Sequence, residues 1–317
     1  MSTRRKEIDV IGIGSCALDF LMVLSSYPEM DERVKALEST MQGGGEVGTA
    51  LITLARLGAQ VKYLGKLADD EFGHFLLEDF KKEGVDTSNV IVEKGNSLFA
   101  FILIEKKSGK RTIVYTDKNV PGLRPEEITF DQIKKAKILL INQSLPDIKA
   151  ALLAAERMNK IGGKVVLDAS WITSWTKRLI NLSEIIIGDE DFAFKFTGEK
   201  DYFKAAQEIF SLKKDGIVAI TAGTKGCFCI SREGKFHTPA FKVKAKDTTG
   251  AGDVFHGAFI YGILQEWDLP YIVKFASAVA ALKCRSLGGR AGIPTLSEVK
   301  NFLSGGSNGR RMEIAED

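Results

Sequence analysis

Cysteine and histidine are both scarce in this sequence. The four cysteines form no CxxC pair and are too few for a disulfide framework. Three histidines give little material for a zinc site, so none is expected. These absences predict a reduced, cytoplasmic protein.

The sequence also lacks an excess of one charge and a long apolar run. Its 44 Lys and Arg residues balance 41 Asp and Glu residues, which argues against nucleic-acid and membrane partners. No apolar run approaches the roughly 18 residues that a spanning helix needs. The basic start, MSTRRKEIDVIGIG, enters a strand-like run without a signal-peptide core.

What the sequence does contain is an alternation of apolar β-branched runs with helical patterns. This rhythm predicts an α/β fold with a mainly parallel sheet covered on both faces. The predicted strands are 9–13, 61–64, 138–142, 165–168, 185–187 and 217–221. The predicted helices are 50–57, 72–83, 147–159 and 202–212, then 250–264, 269–285 and 297–303.

Two segments, 15–42 and 97–116, break this rhythm. Both are typical of β-structure without crossover helices, and FAFILIEKKSGKRTIVYT predicts a hairpin that turns at Ser108 and Gly109. We expect them to form a small β-lid over the sheet. The predicted domain spans 1–303, and the Gly- and Ser-rich tail, 304–317, is expected to be disordered.

The stretch DTTGAGDVFHGAF, at 247–259, places three small residues before a carboxylate at a predicted helix start. Small residues let backbone N–H groups approach a ligand, and the helix dipole points its positive end there. Gly250, Ala251 and Gly252 therefore predict an anion hole for a phosphoryl group, and Asp253 a proton acceptor. The alternative is that Asp253 only caps the helix and the glycines only form a turn.

The full string resembles the C-terminal signature of the PfkB, or ribokinase-like, carbohydrate kinases. The resemblance implies that Asp253 is the catalytic base on a sugar hydroxyl and that the three preceding amides form the anion hole. MQGGGEVGTALITLARLGAQVKYLGKLADDEFG is similar to the N-terminal signature of the same family. It implies that Gly44 and Gly45 lie against the sugar, with Thr49 where ribokinase-type members often have Asn.

The resemblance extends to about Leu303 and implies further site residues. GSCALDF implies that Asp19 binds sugar hydroxyls. GDEDFAFKFTG aligns with a family segment that usually reads Asn-x-x-Glu and helps to order Mg²⁺. Here Phe192 stands at the Glu position, so Asp189 and Glu190 would take the water-mediated Mg²⁺ role. The implied nucleotide and monovalent-cation positions are Thr221, Gly223, Lys225 and Gly226 at the phosphates, Ser277 near the adenine, and Asp247 and Thr249 at the cation. The implied cofactors are ATP, Mg²⁺ and, in some members, K⁺. The implied fold is a three-layer α/β/α domain with a β-lid, which often supplies a homodimer contact.

The sequence offers three rival interpretations. Gly12, Gly14 and Ala17 imitate a dinucleotide fingerprint, but Pro28 would cut the required helix short. Segment 43–49 has the glycine spacing of a P-loop but lacks its Lys. A non-catalytic sugar- or nucleotide-binding regulator is supported only by the degenerate Mg²⁺ segment.

The sequence thus predicts an ATP-dependent phosphotransferase acting on a hydroxyl of a small sugar. In Thr49, DTTGAGDVFHGAF and GGRAGIP the chain is more similar to ketohexose-type members of the family. This resemblance implies a ketohexose such as fructose, or a sulfo or phospho derivative; ribose, 2-keto-3-deoxygluconate and nucleosides are the alternatives. His256, one helical turn beyond Asp253, either tunes the site or simply packs or hydrogen-bonds locally. An anionic substrate would need a cation, for which the candidates are Arg33, Lys35, Lys107, Lys110, Arg111 and Arg290.

Overall fold

A computed structural model describes residues 8–107, 109–116, 120–213 and 215–305. Its strands are β1 (Ile8–Ile13), β2 (Ala17–Leu24), β3 (Glu38–Gly44), β4 (Val61–Tyr63), β5 (Lys66–Ala68), β6 (Ile91–Glu93), β7 (Phe99–Glu105), β8 (Arg111–Tyr115), β9 (Ala136–Asn142), β10 (Lys164–Ala169), β11 (Ile185–Asp189), β12 (Ile217–Thr221), β13 (Cys227–Ser231) and β14 (Gly234–Thr238). Its α-helices are α1 (Glu46–Leu57), α2 (Glu71–Lys82), α3 (Phe130–Ile133), α4 (Ile148–Lys160), α5 (Thr176–Leu182), α6 (Glu190–Thr197), α7 (Tyr202–Lys213), α8 (Ala251–Leu264), α9 (Leu269–Lys283) and α10 (Leu296–Leu303).

The central sheet has the order β14-β13-β12-β11-β10-β9-β1-β4. Strands from β12 to β4 are parallel, and β13 and β14 add an antiparallel hairpin at one edge. The chain adds β4 on one side of β1 and β9 on the other, so the strand order reverses there. In open α/β sheets, ligands bind outside the carboxyl ends of the strands at such a reversal.

Both faces of this sheet are covered by helices. Along β9, Ile138 and Leu140 pack in one apolar cluster with α1, α8 and α9, whereas Leu139 and Ile141 pack in a second with α4, α5 and α7. Burial on alternate sides explains why the strands read as continuous apolar runs. The structure therefore confirms the predicted three-layer α/β architecture.

A separate four-stranded sheet, in the order β3-β2-β7-β8, forms the lid. Strands β2 and β7 are parallel, and the outer pairs are antiparallel. One lid face is buried through Leu21, Ala100 and Ile102. Asp19 lies two residues before Leu21 on β2, so its side chain lies on the same inner face.

Most predicted elements are present with shifted ends. Helix α1 begins at Glu46, four residues before the predicted start at Ala50, because it starts directly after the glycine run. The short pair β5 and β6 was not predicted, since three-residue strands carry too little periodicity. Gly109 has φ +66° at the predicted hairpin turn, whereas Ser108 and residues 306–317 of the predicted tail lie outside the described residues.

Candidate active site

The candidate site lies at the carboxyl ends of the central strands, where the strand order reverses. Asn142 ends β9, Asp168 lies near the end of β10, and Asp189 ends β11. Helices α1 and α8 begin at the same edge, and the lid covers it through Asp19. Parallel strands therefore collect acidic and amide side chains at one place.

The start of α8 has little room for side chains. Gly250 is its N-cap residue, with φ +73°, and a Cβ there would lie 2.9 Å from the Cα atom of Gly289. Only glycine tolerates both the left-handed backbone and this approach. The first amides of a helix have no carbonyl partner within the helix. The GAG stretch therefore places backbone N–H groups at the positive end of α8, where an anion hole was predicted, and the Ala251 amide also donates to the Thr248 carbonyl oxygen at 3.2 Å.

Asp253 lies in the first turn of α8 and is half-buried. Burial, together with the neighbouring carboxylate of Asp168, raises the pKa of Asp253 to about 6. Attraction to His256, Arg111 and Lys283 opposes this rise. At neutral pH the carboxylate is ionised but basic enough to accept a proton.

His256 is buried behind Asp253 among hydrogen-bond acceptors. Its Nδ1 atom lies 2.7 Å from the Gly252 carbonyl oxygen, and its Nε2 atom lies 3.2 Å from the Ile187 carbonyl oxygen. The Asp168 Oδ1 atom is 3.5 Å from the same Nε2. Burial lowers the pKa of His256, but Asp168 and the two carbonyls outweigh it and raise the pKa overall. His256 therefore makes local hydrogen bonds, and its influence on Asp253 stays a prediction.

The glycine run before α1 brings the backbone against Asp19. A Cβ at Gly44 would lie 2.1 Å from the Asp19 Oδ2 atom, so any larger residue would displace this carboxylate. Gly45, the N-cap of α1, has φ +82°, and a Cβ there would meet the Cys16 backbone at 2.7 Å. Asp19 is 7% exposed, and burial raises its pKa to about 7.

Glu46 is a site residue that sequence reasoning missed. Its Oε2 atom accepts hydrogen bonds from the Ser15 hydroxyl at 3.0 Å and from the Asn142 amide, and its Oε1 accepts from the Trp171 indole N–H at 3.2 Å. Burial and the charges of Asp168 and Asp253 raise its pKa to about 7. Glu46 is thus positioned by three donors from three distant segments of the chain.

The side chains of Thr49 and Arg290 contact each other instead of lining an open pocket. Both are buried, and the Arg290 Nε atom donates to Thr49 Oγ1 at 3.4 Å. The remaining Arg290 nitrogens donate to Asp79 at 2.6 Å and to the Gly44 carbonyl oxygen at 2.6 Å. Thr49 therefore has a structural partner where sugar contact was expected. Arg290 braces the glycine run, and its guanidinium is already engaged by protein acceptors.

Among the candidate cations, Arg111 reaches the start of α8. From β8 of the lid, its guanidinium donates to the Thr248 hydroxyl at 2.7 Å. An open cavity of about 480 Å³ is lined there by Gly109, Lys110, Arg111, Ile113 and Thr248. The lid hairpin thus brings a positive charge to the entrance of the anion hole.

The predicted nucleotide residues lie along one edge of this site. Thr221 ends β12, and Gly223–Lys225 forms a 3₁₀ turn that Gly226 closes with φ +90°. Lys225 lies 2.6 Å from the Tyr202 hydroxyl, which donates to Glu190 at 2.8 Å. These hydrogen bonds therefore connect the turn to the acidic start of α6.

Asp189 and Ser277 are the two remaining residues predicted on the nucleotide side, and they differ in their contacts. Asp189 caps α6 by accepting from the Phe192 amide at 2.7 Å, and burial raises its pKa. Its side chain is thus partly committed to the helix. Ser277 is half-buried on α9, which packs against α8 and β14.

The predicted cation residues are buried beneath the anion hole. Asp247 accepts from the Thr249 amide at 2.8 Å, from the Thr249 hydroxyl at 2.7 Å and from the Gly288 amide at 2.7 Å. Lys283, which the sequence did not single out, donates to the carbonyl oxygens of Asp247 and Thr249.

Several missed residues carried a usable signal. Asn142 and Asp168 each follow an apolar run, as ILLIN and VVLDA, and polar residues at the carboxyl ends of parallel strands are candidates for a site. Glu46 and Trp171 carried none, because their neighbours come from distant loops.

A half-buried carboxylate beside the amides of a helix start, at the edge of a lidded α/β sheet, suits phosphoryl transfer to a small molecule. Residues 7–296 match the family described as pfkB family carbohydrate kinase, and the chain belongs to this family. It is therefore a carbohydrate kinase, a phosphotransferase with a hydroxyl acceptor.

Similar proteins cover almost the whole chain. The 5-dehydro-2-deoxygluconokinase of Geobacillus kaustophilus is 29% identical, over 96% of each chain. The ribokinase of Haemophilus influenzae is 31% identical, over 94% of this chain and 99% of its own. The crystal structure of ribokinase from Thermotoga maritima superimposes with a TM-score of 0.81 at 27% identity, over 94% of this chain and 99% of its own.

No helix within the described ranges is both long enough and apolar enough to span a bilayer.

Proposed function

We propose that this carbohydrate kinase transfers the γ-phosphoryl group of ATP to a hydroxyl of a small sugar, with Asp253 as the base. The observation that carries this proposal is the half-buried Asp253 carboxylate in the first turn of α8, directly after the GAG amides. The carboxylate takes the hydroxyl proton, the sugar oxygen bonds to the γ-phosphorus, and the bond from that phosphorus to the β–γ bridging oxygen breaks. The products are a sugar phosphate and ADP.

Charge on the transferring group is stabilised by the amides of Gly250, Ala251 and Gly252 and by the α8 dipole. ATP would lie over Thr221, Gly223, Lys225 and Gly226, with its adenine toward Ser277. The lysine ammonium and the glycine-rich turn both suit phosphate oxygens.

Mg²⁺ would accompany ATP and neutralise its phosphates. Asp189 and Glu190 would hold it through water, since Mg²⁺ keeps several waters and takes one or two carboxylates together with phosphates. Asp189 at the end of β11 and Glu190 at the start of α6 are placed side by side for such a loosely held ion.

For the acceptor, we infer a neutral sugar with neighbouring hydroxyls, a ketohexose such as fructose. Asp19 and Glu46 both interact electrostatically with Asp253, so the hydroxyl site is surrounded by carboxylates. Carboxylates accept hydrogen bonds from hydroxyls, whereas the same field repels an anion. Arg290, the one buried arginine of the described residues, is already engaged with Asp79 and Gly44.

A sugar acid or a sulfo or phospho derivative is the second candidate. Two observations favour it: the 5-dehydro-2-deoxygluconokinase relatives, and Arg111 at the lid. An anionic end placed toward the lid would meet the Arg111 guanidinium. Ribose is a further alternative because of the ribokinase relatives.

We also propose that two copies pair through their lids. The outer lid face carries a row of apolar side chains in register across all four strands, namely Met41, Phe20, Phe101 and Val114. Met41, Phe101 and Val114 are between 42% and 59% exposed. A second copy of the same row would cover them.

The decisive experiment measures ADP release from MgATP with a panel of acceptors. The panel contains fructose, ribose, 2-keto-3-deoxygluconate, 5-dehydro-2-deoxygluconate, sulfofructose, fructose phosphates, tagatose phosphate and adenosine. Turnover is expected to be greatest with a neutral sugar. Asp253→Asn is expected to lower kcat by about 10²–10⁴-fold, the usual contribution of a general base.

The variant also provides its own folding control. The folded state raises the pKa of Asp253 from 3.8 to about 6, so its contribution to stability is present below pH 3.8 and is lost as the pH rises through 6. Asp253→Asn should therefore keep or raise Tm at pH 8. Equal turnover in both proteins would refute the mechanism. ATP binding without turnover on any acceptor would favour the regulator, and preference for an acid would change the substrate class alone.

A further inference from the structure

Lys283 lies directly beneath the anion-hole loop. It is the last residue of α9 and is 0% exposed. Its ammonium donates to the Asp247 carbonyl oxygen at 3.1 Å and to the Thr249 carbonyl oxygen. Two backbone carbonyls, two residues apart, thus converge on one positive charge.

The loop is held from its carboxylate side as well. Asp247 Oδ1 accepts from the Thr249 amide and hydroxyl, and Oδ2 accepts from the Gly288 amide at 2.7 Å. The backbone amides of Lys246 and Asp247 donate to the Cys284 carbonyl oxygen at 2.8 and 3.1 Å. The carbonyls, the carboxylate and the ammonium form one buried unit, and the loop leaves it to enter α8 at Gly250.

Converging carbonyl oxygens beside a carboxylate also suit a free monovalent cation, as expected for Asp247 and Thr249. Such an ion would need the carbonyl oxygens that Lys283 already contacts, and it would meet a like charge in a buried site. Like charges at this range repel strongly where water is excluded. The residues present therefore do not fit a K⁺ ion at this position.

We propose that the Lys283 ammonium is the built-in cation of this loop, so the protein neither needs nor binds K⁺ there. The covalently attached charge holds the Asp247 and Thr249 carbonyls in the arrangement that presents the GAG amides. Lys283 acts through this loop and is a positioning residue. The proposal rests on the proposed function only for its activity readout, because ion binding is also measured without turnover.

The first test uses the wild-type protein, dialysed free of K⁺ and NH₄⁺. Its Tm and its turnover are measured in chloride salts of K⁺, Na⁺ and choline at equal ionic strength. A ligand that binds only the folded state raises Tm with its concentration. We expect no K⁺-specific rise in Tm and a change in turnover of less than about twofold. A K⁺-specific rise in Tm, or stimulation of about tenfold or more, would overturn the proposal.

The second test replaces the Lys283 ammonium by a free cation. Lys283→Ala removes the ammonium and leaves space for a cation, and we expect its Tm to rise with K⁺ or NH₄⁺ but not with choline. Turnover lost in this variant should be partly recovered by the same ions. Lys283→Met, which keeps the length without the charge, should lose turnover without recovery.

Lys213→Ala is the matched control. Lys213 also ends a helix and donates to a carbonyl oxygen, that of Ser183, but it lies away from the site, so no ion response is expected. A folded Lys283→Ala with full turnover and no ion response would refute the proposal. If Lys283→Ala does not fold, the wild-type arm decides. Absence of turnover in every protein, with the expected Tm responses, would refute the proposed function and leave this inference standing.

Discussion

At the scale of single residues, acidity decides what Asp253 can do. A carboxylate at its ordinary pKa is a weak base, and burial beside Asp168 raises the pKa of Asp253 to about 6. The motif predicted which residue would be the base. It could not predict this acidity, because Asp168 lies 85 positions away and meets Asp253 only across the sheet edge.

The acidity predicts a pH profile. Because the base must be deprotonated, kcat/KM should be flat above pH 7 and fall about tenfold per unit below pH 6. His256 lowers the pKa of Asp253 by attraction, so His256→Gln should move this acid limb to higher pH. Turnover at pH 6 should then fall more than turnover at pH 8.5.

His74→Gln is the matched control, because His74 is exposed and pairs with Asp69 at 3.1 Å outside the site. Its profile should overlie that of the wild type. An unchanged acid limb in His256→Gln would show that His256 only packs.

At the scale of elements, the starts of α1 and α8 and the lid hairpin build the site. The glycine runs before both helices were recognisable in the sequence, because a run of small residues before a helix lets backbone N–H groups approach a ligand. The contacts between these elements were not recognisable in the sequence. Thr49 was expected to face the sugar, but the structure pairs it with Arg290, which is 241 positions further along the chain.

The lid hairpin yields a prediction about Arg111. If its guanidinium contacts a phosphoryl or substrate anion when the lid is closed, Arg111→Ala should lower kcat/KM by about 10–100-fold, since a hydrogen bond to a charged group contributes ~1.5–3 kcal/mol. Arg111→Lys should recover part of this loss, because Lys keeps the charge without the planar fork. Steady-state kinetics with ATP and the best acceptor give the measurement.

Lys107→Ala, an exposed cation on the same hairpin, should leave kcat/KM within about twofold of the wild type. A similar loss in both variants would assign the effect to the overall charge of the lid rather than to Arg111.

At the scale of the whole molecule, the exposed row on the lid predicts self-association. The 34.7 kDa chain should elute as a dimer in light-scattering chromatography. Val114→Asp should shift it to the monomer, because the substitution places a charge in the apolar row that the second copy would cover. Val92→Asp is the control, since Val92 is also exposed, at 42%, but lies on β6 outside the lid. A monomeric wild-type protein would contradict the proposed dimer.

The sequence alone determined the architecture and the principal chemical groups. Apolar runs that alternate with helical patterns require a sheet buried on both faces, and the GAGD string predicts an anion hole with its carboxylate. These are local patterns, and local patterns are what a sequence displays directly. The family resemblance carried the same conclusions to the level of a carbohydrate kinase, which the family match confirmed.

Only the tertiary structure decided which side chains share the site and which charges meet there. Glu46 is positioned by Ser15, Asn142 and Trp171, and Lys283 donates to the carbonyl oxygens of the two expected cation residues. Such pairings join residues far apart in the chain, and each depends on the sheet order and on the lid lying over its edge. Burial then sets their acidity, because a pKa depends on the surroundings that folding creates.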